Sequence, residues 1–176
     1  PSVTLVDLSD VTYSTVRKYS AKTVALNGQI KGEIYGTSLY LNSGTGIRSY
    51  VSNLADDVNP NNLYMQYTLN GKSKRVKAVY SETSKSYYGE ISDIAANRLS
   101  TIYDICFCEG STPITNTIQY GAYSYIYSTL RSSKSVDEQN LVKALYKYSI
   151  AAETLIPPVG DLEDDLDTTV TDSTRE

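Results

Sequence analysis

The chain has 176 residues, a formal net charge of −4, and 17 tyrosines against one phenylalanine, with no tryptophan and no histidine. That length holds one domain with its own core, and the lack of histidine removes the ordinary Ser-His and Cys-His nucleophile pairs and any zinc set completed from the two cysteines. Charge is uneven: residues 161–176 hold seven acids against Arg175 alone, a net of −6, so the remaining body, with 15 bases and 13 acids, is near +2 and lacks the basic face that nucleic-acid binding needs.

In chain order, residues 1–8 (PSVTLVDL) offer Val3, Leu5 and Leu8 as the apolar positions of an opening strand. Residues 9–21, with Val11, Tyr13, Val16 and Tyr19, fit neither a strand nor a helix period cleanly. From Lys22 turn signals recur every several residues, as in a β-rich domain. We expect strands near 23–26, 29–34, 37–41, 46–53, 63–69, 74–80, 86–92, 101–108 and 114–119. Asn27-Gly28 reads as a tight turn between the first two, Asn42 to Gly46 (NSGTG) as the next turn, and residues 55–62 as a polar loop.

Asn70-Gly71 supplies the two positive φ values of a type I′ hairpin, and a two-residue loop fixes register. Leu69 then faces Lys72, Tyr67 faces Lys74, Met65 faces Val76 and Leu63 faces Ala78. The other face carries Tyr64, Gln66 and Thr68 opposite Lys77, Arg75 and Ser73, and should meet solvent or a ligand. Residues 91–100 (ISDIAANRLS) read as a helical turn. The run 101–108 reads as a central strand with Tyr103, Ile105 and Phe107 on one side and Ile102, Cys106 and Cys108 on the other. Two cysteines on one strand face have Cβ atoms about 6–7 Å apart, against roughly 3.5–4.5 Å in a disulfide, so two buried thiols are expected.

Two helices close the domain. In the first, Tyr123, Ile126, Tyr127 and Leu130 share a face. In the second, Leu141, Leu145, Tyr148, Ala152 and Leu155 form an apolar stripe expected to need a sheet or a partner. Ser135 is its N-cap, Asp137 and Glu138 suit its first turn, and Pro157-Pro158 ends it. The expected fold is α+β and mainly β: an immunoglobulin-like antiparallel β-sandwich over residues 1–156, with the helical hairpin (about 120–156) packed on it. The alternative is one sheet covered by both helices. Residues 157–176 read as an acidic linker or tail, and no apolar run approaches the ~18 residues of a membrane span.

Four acids, Glu90, Asp93, Asp104 and Glu109, are candidates for a hydrolytic carboxylate pair, but such a density of acids is ordinary for a surface, and no catalytic residue is assigned. Asp56, Asp57, Asn59, Asn61 and Asn62 hold enough oxygens for calcium without the spacing of a calcium loop, so no cofactor is assigned. Gly71 to Lys77 (GKSKRVK) is the one basic cluster, and alternation splits it between two faces. The candidate carbohydrate-binding residues are Tyr64, Gln66, Arg75 and Lys77, because sugars lay C–H faces on aromatic rings and offer hydroxyls to amide and basic groups. Strand propensity alone also explains a tyrosine there.

These features follow one another as TSLYLNSGTGIRSYVSN (37–53), ISDIAANRLSTIYDICF (91–107) and IQYGAYSYIYSTL…LVKALYKYSIAAETLI (118–156). In that order they resemble a poorly characterised module of large secreted and cell-surface proteins from gut anaerobic Firmicutes, dockerin-bearing polysaccharide degraders among them. The resemblance covers roughly residues 21–156. Its best motif is the closing helix, where the module carries a tyrosine-glycine-alanine-alanine run, and Tyr148 to Ala152 (YSIAA) departs from it by lacking the glycine. It implies a non-catalytic accessory or spacer module, secreted or at the cell surface, and brings no catalytic residues. Two functions are therefore expected as alternatives: a monomeric carbohydrate-binding module whose partner is a polysaccharide, or a structural or protein-interaction module that contacts neighbouring modules of its own chain.

Overall fold

A computed structural model describes residues 7–132 and 134–157. The expected opening strand at 1–8 and the linker at 157–176 lie almost wholly outside them. The chain forms an α+β fold, mainly two antiparallel sheets with helices near the C-terminus. In the first sheet β1 (Lys22–Val24), β10 (Thr117–Tyr120), β8 (Tyr103–Glu109), β4 (Leu63–Leu69) and β5 (Lys72–Lys77) lie in that order, and the short β9 (Thr112–Pro113) also pairs with β8. In the second, β2 (Glu33–Leu41), β3 (Thr45–Ser52), β7 (Ser86–Ile91) and β6 (Val79–Ser81) follow one another.

The two sheets share one core. Ile47, Val51 and Ile91 from the second meet Leu63, Met65, Tyr67, Ile105 and Phe107 from the first. Period-two alternation predicts this set: Tyr103, Ile105 and Phe107 all point inward from β8. Gly89 on β7 permits the close approach, because a Cβ there would stand 2.3 Å from the Cβ of Met65.

The Asn70-Gly71 hairpin has φ values of 51° and 79°, and the pairs Tyr64–Lys77, Gln66–Arg75 and Leu69–Lys72 stand in the predicted register. Elsewhere two expectations are corrected. The strand read at 74–80 is two strands in different sheets: β5 ends at Lys77, Ala78 is buried and donates its N–H to Leu63 O, and β6 continues in the second sheet. Asn27-Gly28 closes no hairpin. β1 pairs with β10 instead, and the strands read at 29–34 and 37–41 are one strand, β2, with a bulge between Ile34 and Gly36. Residues 13–16 form a helical turn, α1 (Tyr13–Val16), continued by a 3₁₀ turn at Arg17–Tyr19.

The C-terminal hairpin is α2 (Ala122–Arg131) and α3 (Val136–Leu155). In α2, Tyr123 and Ile126 are buried and Tyr127 and Leu130 pack beside them, as the spacing requires. α3 starts as predicted, with Ser135 Oγ accepting from Glu138 N at 3.2 Å. Its packing differs from expectation. Val142 and Ser149 are its buried residues, Leu145 and Tyr146 pack partly, and Leu141, Tyr148 and Leu155 are 55, 64 and 82% exposed. The hairpin thus reaches the sheets through α2, which touches β2, while α3 lies on α2 and on the 3₁₀ turn Ala96–Arg98. The physical reason is small size: Ser149 lets α3 settle against the Tyr123 ring, whose hydroxyl shares a 2.6 Å hydrogen bond with Ser149 Oγ, so α3 packs on a face next to its most apolar one.

Candidate functional site

The four sequence candidates lie together on the outer face of the first sheet, as β4 and β5 are paired. Their ring is not open. Lys77 Nζ stands 5.2 Å and the Arg75 guanidinium 5.9 Å from the Tyr64 ring centre, and Tyr64 is 8% exposed. Arg75 is bonded to the Gly110 carbonyl and Lys77 to that of Asn61. Beside them on the same face, across from Tyr64 and Gln66 on β8, are Cys108 and Cys106, both free and buried, with Cys108 Sγ 3.8 Å from Gln66 Oε1. The contact between the thiols lowers Cys106 and, with burial, pushes Cys108 far above the usual thiol range, so Cys108 is held as a neutral thiol.

The outer face of the second sheet is open. Strand pairing sets Tyr50 of β3 opposite Gly36 of β2 and Tyr88 of β7, and Arg48 opposite Ser38 and Glu90. The β2 bulge turns Tyr35 into the same row, and its hydroxyl shares a 2.6 Å bond with Ser86 Oγ. Ring centres run Tyr35 to Tyr50 at 6.1 Å and Tyr50 to Tyr88 at 5.4 Å, with Tyr35 50% exposed. A Cβ at Gly36 would meet nothing within 4 Å, so β2 places no side chain at the position directly opposite Tyr50.

Arg48 anchors one end of this row. Its guanidinium lies 3.6 Å from the Tyr40 ring centre and 4.5 Å from that of Tyr88, and Nε donates to Glu90 Oε1 at 2.6 Å. Burial pulls its pKa down, and the bonds to Glu90 and Tyr50 more than offset this, so it stays charged. Past Arg48 the face drops into a polar notch of about 210 Å³ lined by Tyr40, Asn42, Gly44, Glu90, Ser92 and Asp93. Ser43 and Asp93 flank it with φ of 54° and 56°, a left-handed backbone that non-glycine residues adopt at some cost. Ser92 Oγ donates to Glu90 Oε2 at 2.9 Å, and Asn42 Nδ2 to Tyr40 Oη at 3.0 Å, leaving the Asn42 carbonyl and the Asp93 carboxylate as acceptors.

The other sequence candidates are dispersed. Glu90 and Asp93 share the notch, whereas Asp104 accepts from Gln119 and Glu109 from Asn59 N, both on β8 in the other sheet. In the 55–62 loop Asp57 is paired with Lys31 at 2.7 Å and Asn59 Oδ1 caps Asn61 N. Among the described residues no three acids, cysteines or histidines gather as a metal cluster, and no helix is long and apolar enough to cross a membrane.

Sequence reasoning overlooked Tyr35, Tyr40, Arg48, Tyr50 and Tyr88. The alternation of Arg48, Tyr50 and Ser52 is visible in IRSYVS, but their neighbours come from β7, nearly forty residues on, and no local signal pairs the two strands. No family model, curated protein or solved structure matches the chain, so the geometry of this face stands by itself.

Proposed function

We propose that this domain is a non-catalytic carbohydrate-binding module of a secreted or cell-surface multimodular protein, and that it takes its saccharide on the outer face of the second sheet. The observation that carries the reading is the row Tyr35–Tyr50–Tyr88, three rings spaced 5.4–6.1 Å apart with no side chain on Gly36 opposite the middle one. Such rings accept the apolar faces of successive sugar units, and Tyr contributes area at little entropic cost. Arg48, Glu90, Asn42 and Asp93 supply charged and amide partners for hydroxyls at one end. We take the two-sheet stack as an immunoglobulin-like sandwich, a reading supported by its antiparallel pairing and by the chain's passage between sheets at Ala78.

Retardation in native gels containing neutral plant, starch or mucin polysaccharides tests the proposal. The intact protein should be retarded on at least one, and Tyr50→Ala should lose at least tenfold in affinity at unchanged melting temperature. Retardation by none, or a loss that tracks unfolding, removes it. The second reading, a protein-interaction module, is favoured by one observation, the exposed apolar side of α3.

A further inference from the structure

α3 has two apolar faces, and the folded chain uses one. Its unused side is Leu141, Ala144, Tyr148, Ala151 and Leu155, all exposed, recurring at steps of three and four residues along a 20-residue helix. That spacing is a heptad seam, with Leu141, Tyr148 and Leu155 at one position and Ala144 and Ala151 at the other. Read from either end the order of residues is the same, Leu, Ala, Tyr, Ala, Leu, and with Leu145 and Ala152 beside it the set of positions is symmetric about Tyr148.

We propose that this side of α3 is the interface of a homodimer, two copies meeting with their α3 helices antiparallel about a twofold axis through Tyr148. A twofold interface brings the same patch of each copy together, so a residue faces its mirror position in the partner. Here Leu141 meets Leu155 of the second copy, Ala144 meets Ala152, Leu145 meets Ala151, and Tyr148 meets itself. Every layer beside the tyrosines holds at least one alanine, which lets the helices draw close around the rings. Leu145 and Ala152 form one flank of this contact.

On the other flank the twofold sets Lys147 against Lys147. That repulsion is removed within each chain, because Lys147 Nζ is held 2.8 Å from Asp10, whose carboxyl the lysine keeps below its usual range. Antiparallel helices also set their macrodipoles head to tail, and Asp137 and Glu138 stay at the outer ends. Three helical turns of contact make a small interface by the standard of specific complexes, so the dimer should be reversible, with a dissociation constant in the micromolar range.

Sedimentation of the full 176-residue chain over a concentration series tests this. A monomer–dimer equilibrium is expected, and Tyr148→Glu or Ala151→Glu should shift it to monomer by at least tenfold while leaving the melting temperature in place, since both residues are exposed. Tyr148→Cys should cross-link to itself under mild oxidation, because it alone sits on the axis, whereas Leu155→Cys should cross-link only when mixed with Leu141→Cys; the native Cys106 and Cys108 are buried and do not compete. A monomer at every concentration, a dimer indifferent to Tyr148→Glu, or self-linking by Leu155→Cys overturns the proposal. So does a monomer whose Tyr148 ring becomes accessible to a soluble quencher only after residues 158–176 are removed, which would make the chain's own terminus the occupant.

Discussion

On the outer face of the first sheet Tyr64 lies under Lys77 and Arg75 and is 8% exposed, whereas on the second sheet Tyr50 stands between Tyr35 and Tyr88 with a glycine opposite it. The two faces share residue types, both mixing tyrosine with serine, arginine and a carboxamide or acid. What separates them is the residue directly across the strand. Long basic side chains cover a neighbouring ring with their stems and place their charge over its face, and Lys77 is the direct partner of Tyr64. The partners of Tyr50 are Gly36 and Tyr88, so no long basic stem stands directly across from it. A ring on a strand is therefore a surface or a filler according to its cross-strand neighbour.

Tyr64→Ala should behave as a core truncation and cost ~3 kcal/mol of stability in urea unfolding, with saccharide affinity of the folded protein unchanged; a loss of affinity at full stability would restore the first sheet as the site. Gly89→Ala drives a methyl into Met65 beneath the tyrosine row, and it should cost ~2 kcal/mol by overpacking, visible as a lower urea midpoint. Gly36→Lys sharpens the comparison most, since it gives Tyr50 the cover that Lys77 gives Tyr64. It should weaken saccharide binding at least tenfold and change stability by less than ~0.5 kcal/mol, because a Cβ there meets nothing.

The smallest effect is absent at neutral pH. Burial pushes the Tyr123 hydroxyl up to about 12, above its value of about 10 in an unfolded chain. The folded state favours the neutral phenol, so the helical layer keeps its stability below pH ~10 and loses it as pH rises towards 12. Tyrosinate absorbance and helical circular dichroism followed together should change in one transition there, and Tyr123→Phe should remove its dependence on that hydroxyl.

Much of the framework is legible from local chemistry. The Asn70-Gly71 turn dictates the β4–β5 register, the alternation in β8 divides Ile105 and Phe107 from the two thiols, and Ser135 starts α3 where its hydroxyl meets an unpaired amide. What local chemistry cannot say is what lies on top. The stripe Leu141–Tyr148–Leu155 is the most apolar side of α3, yet Ser149 and Tyr123 select a neighbouring side through a contact between different helices. The break at Ala78 is hidden for the same reason, since an alternating run looks alike whether it stays in one sheet or crosses to another. The tyrosine row is assembled from β2, β3 and β7, and only their pairing reveals it.

Ring-proton chemical shifts of the tyrosines, followed while a retained oligosaccharide is titrated in, test the central claim most directly. Tyr35, Tyr50 and Tyr88 should move together and saturably while Tyr64 stays still. Movement of Tyr64 with its neighbours on β5, and none on the second sheet, would contradict it.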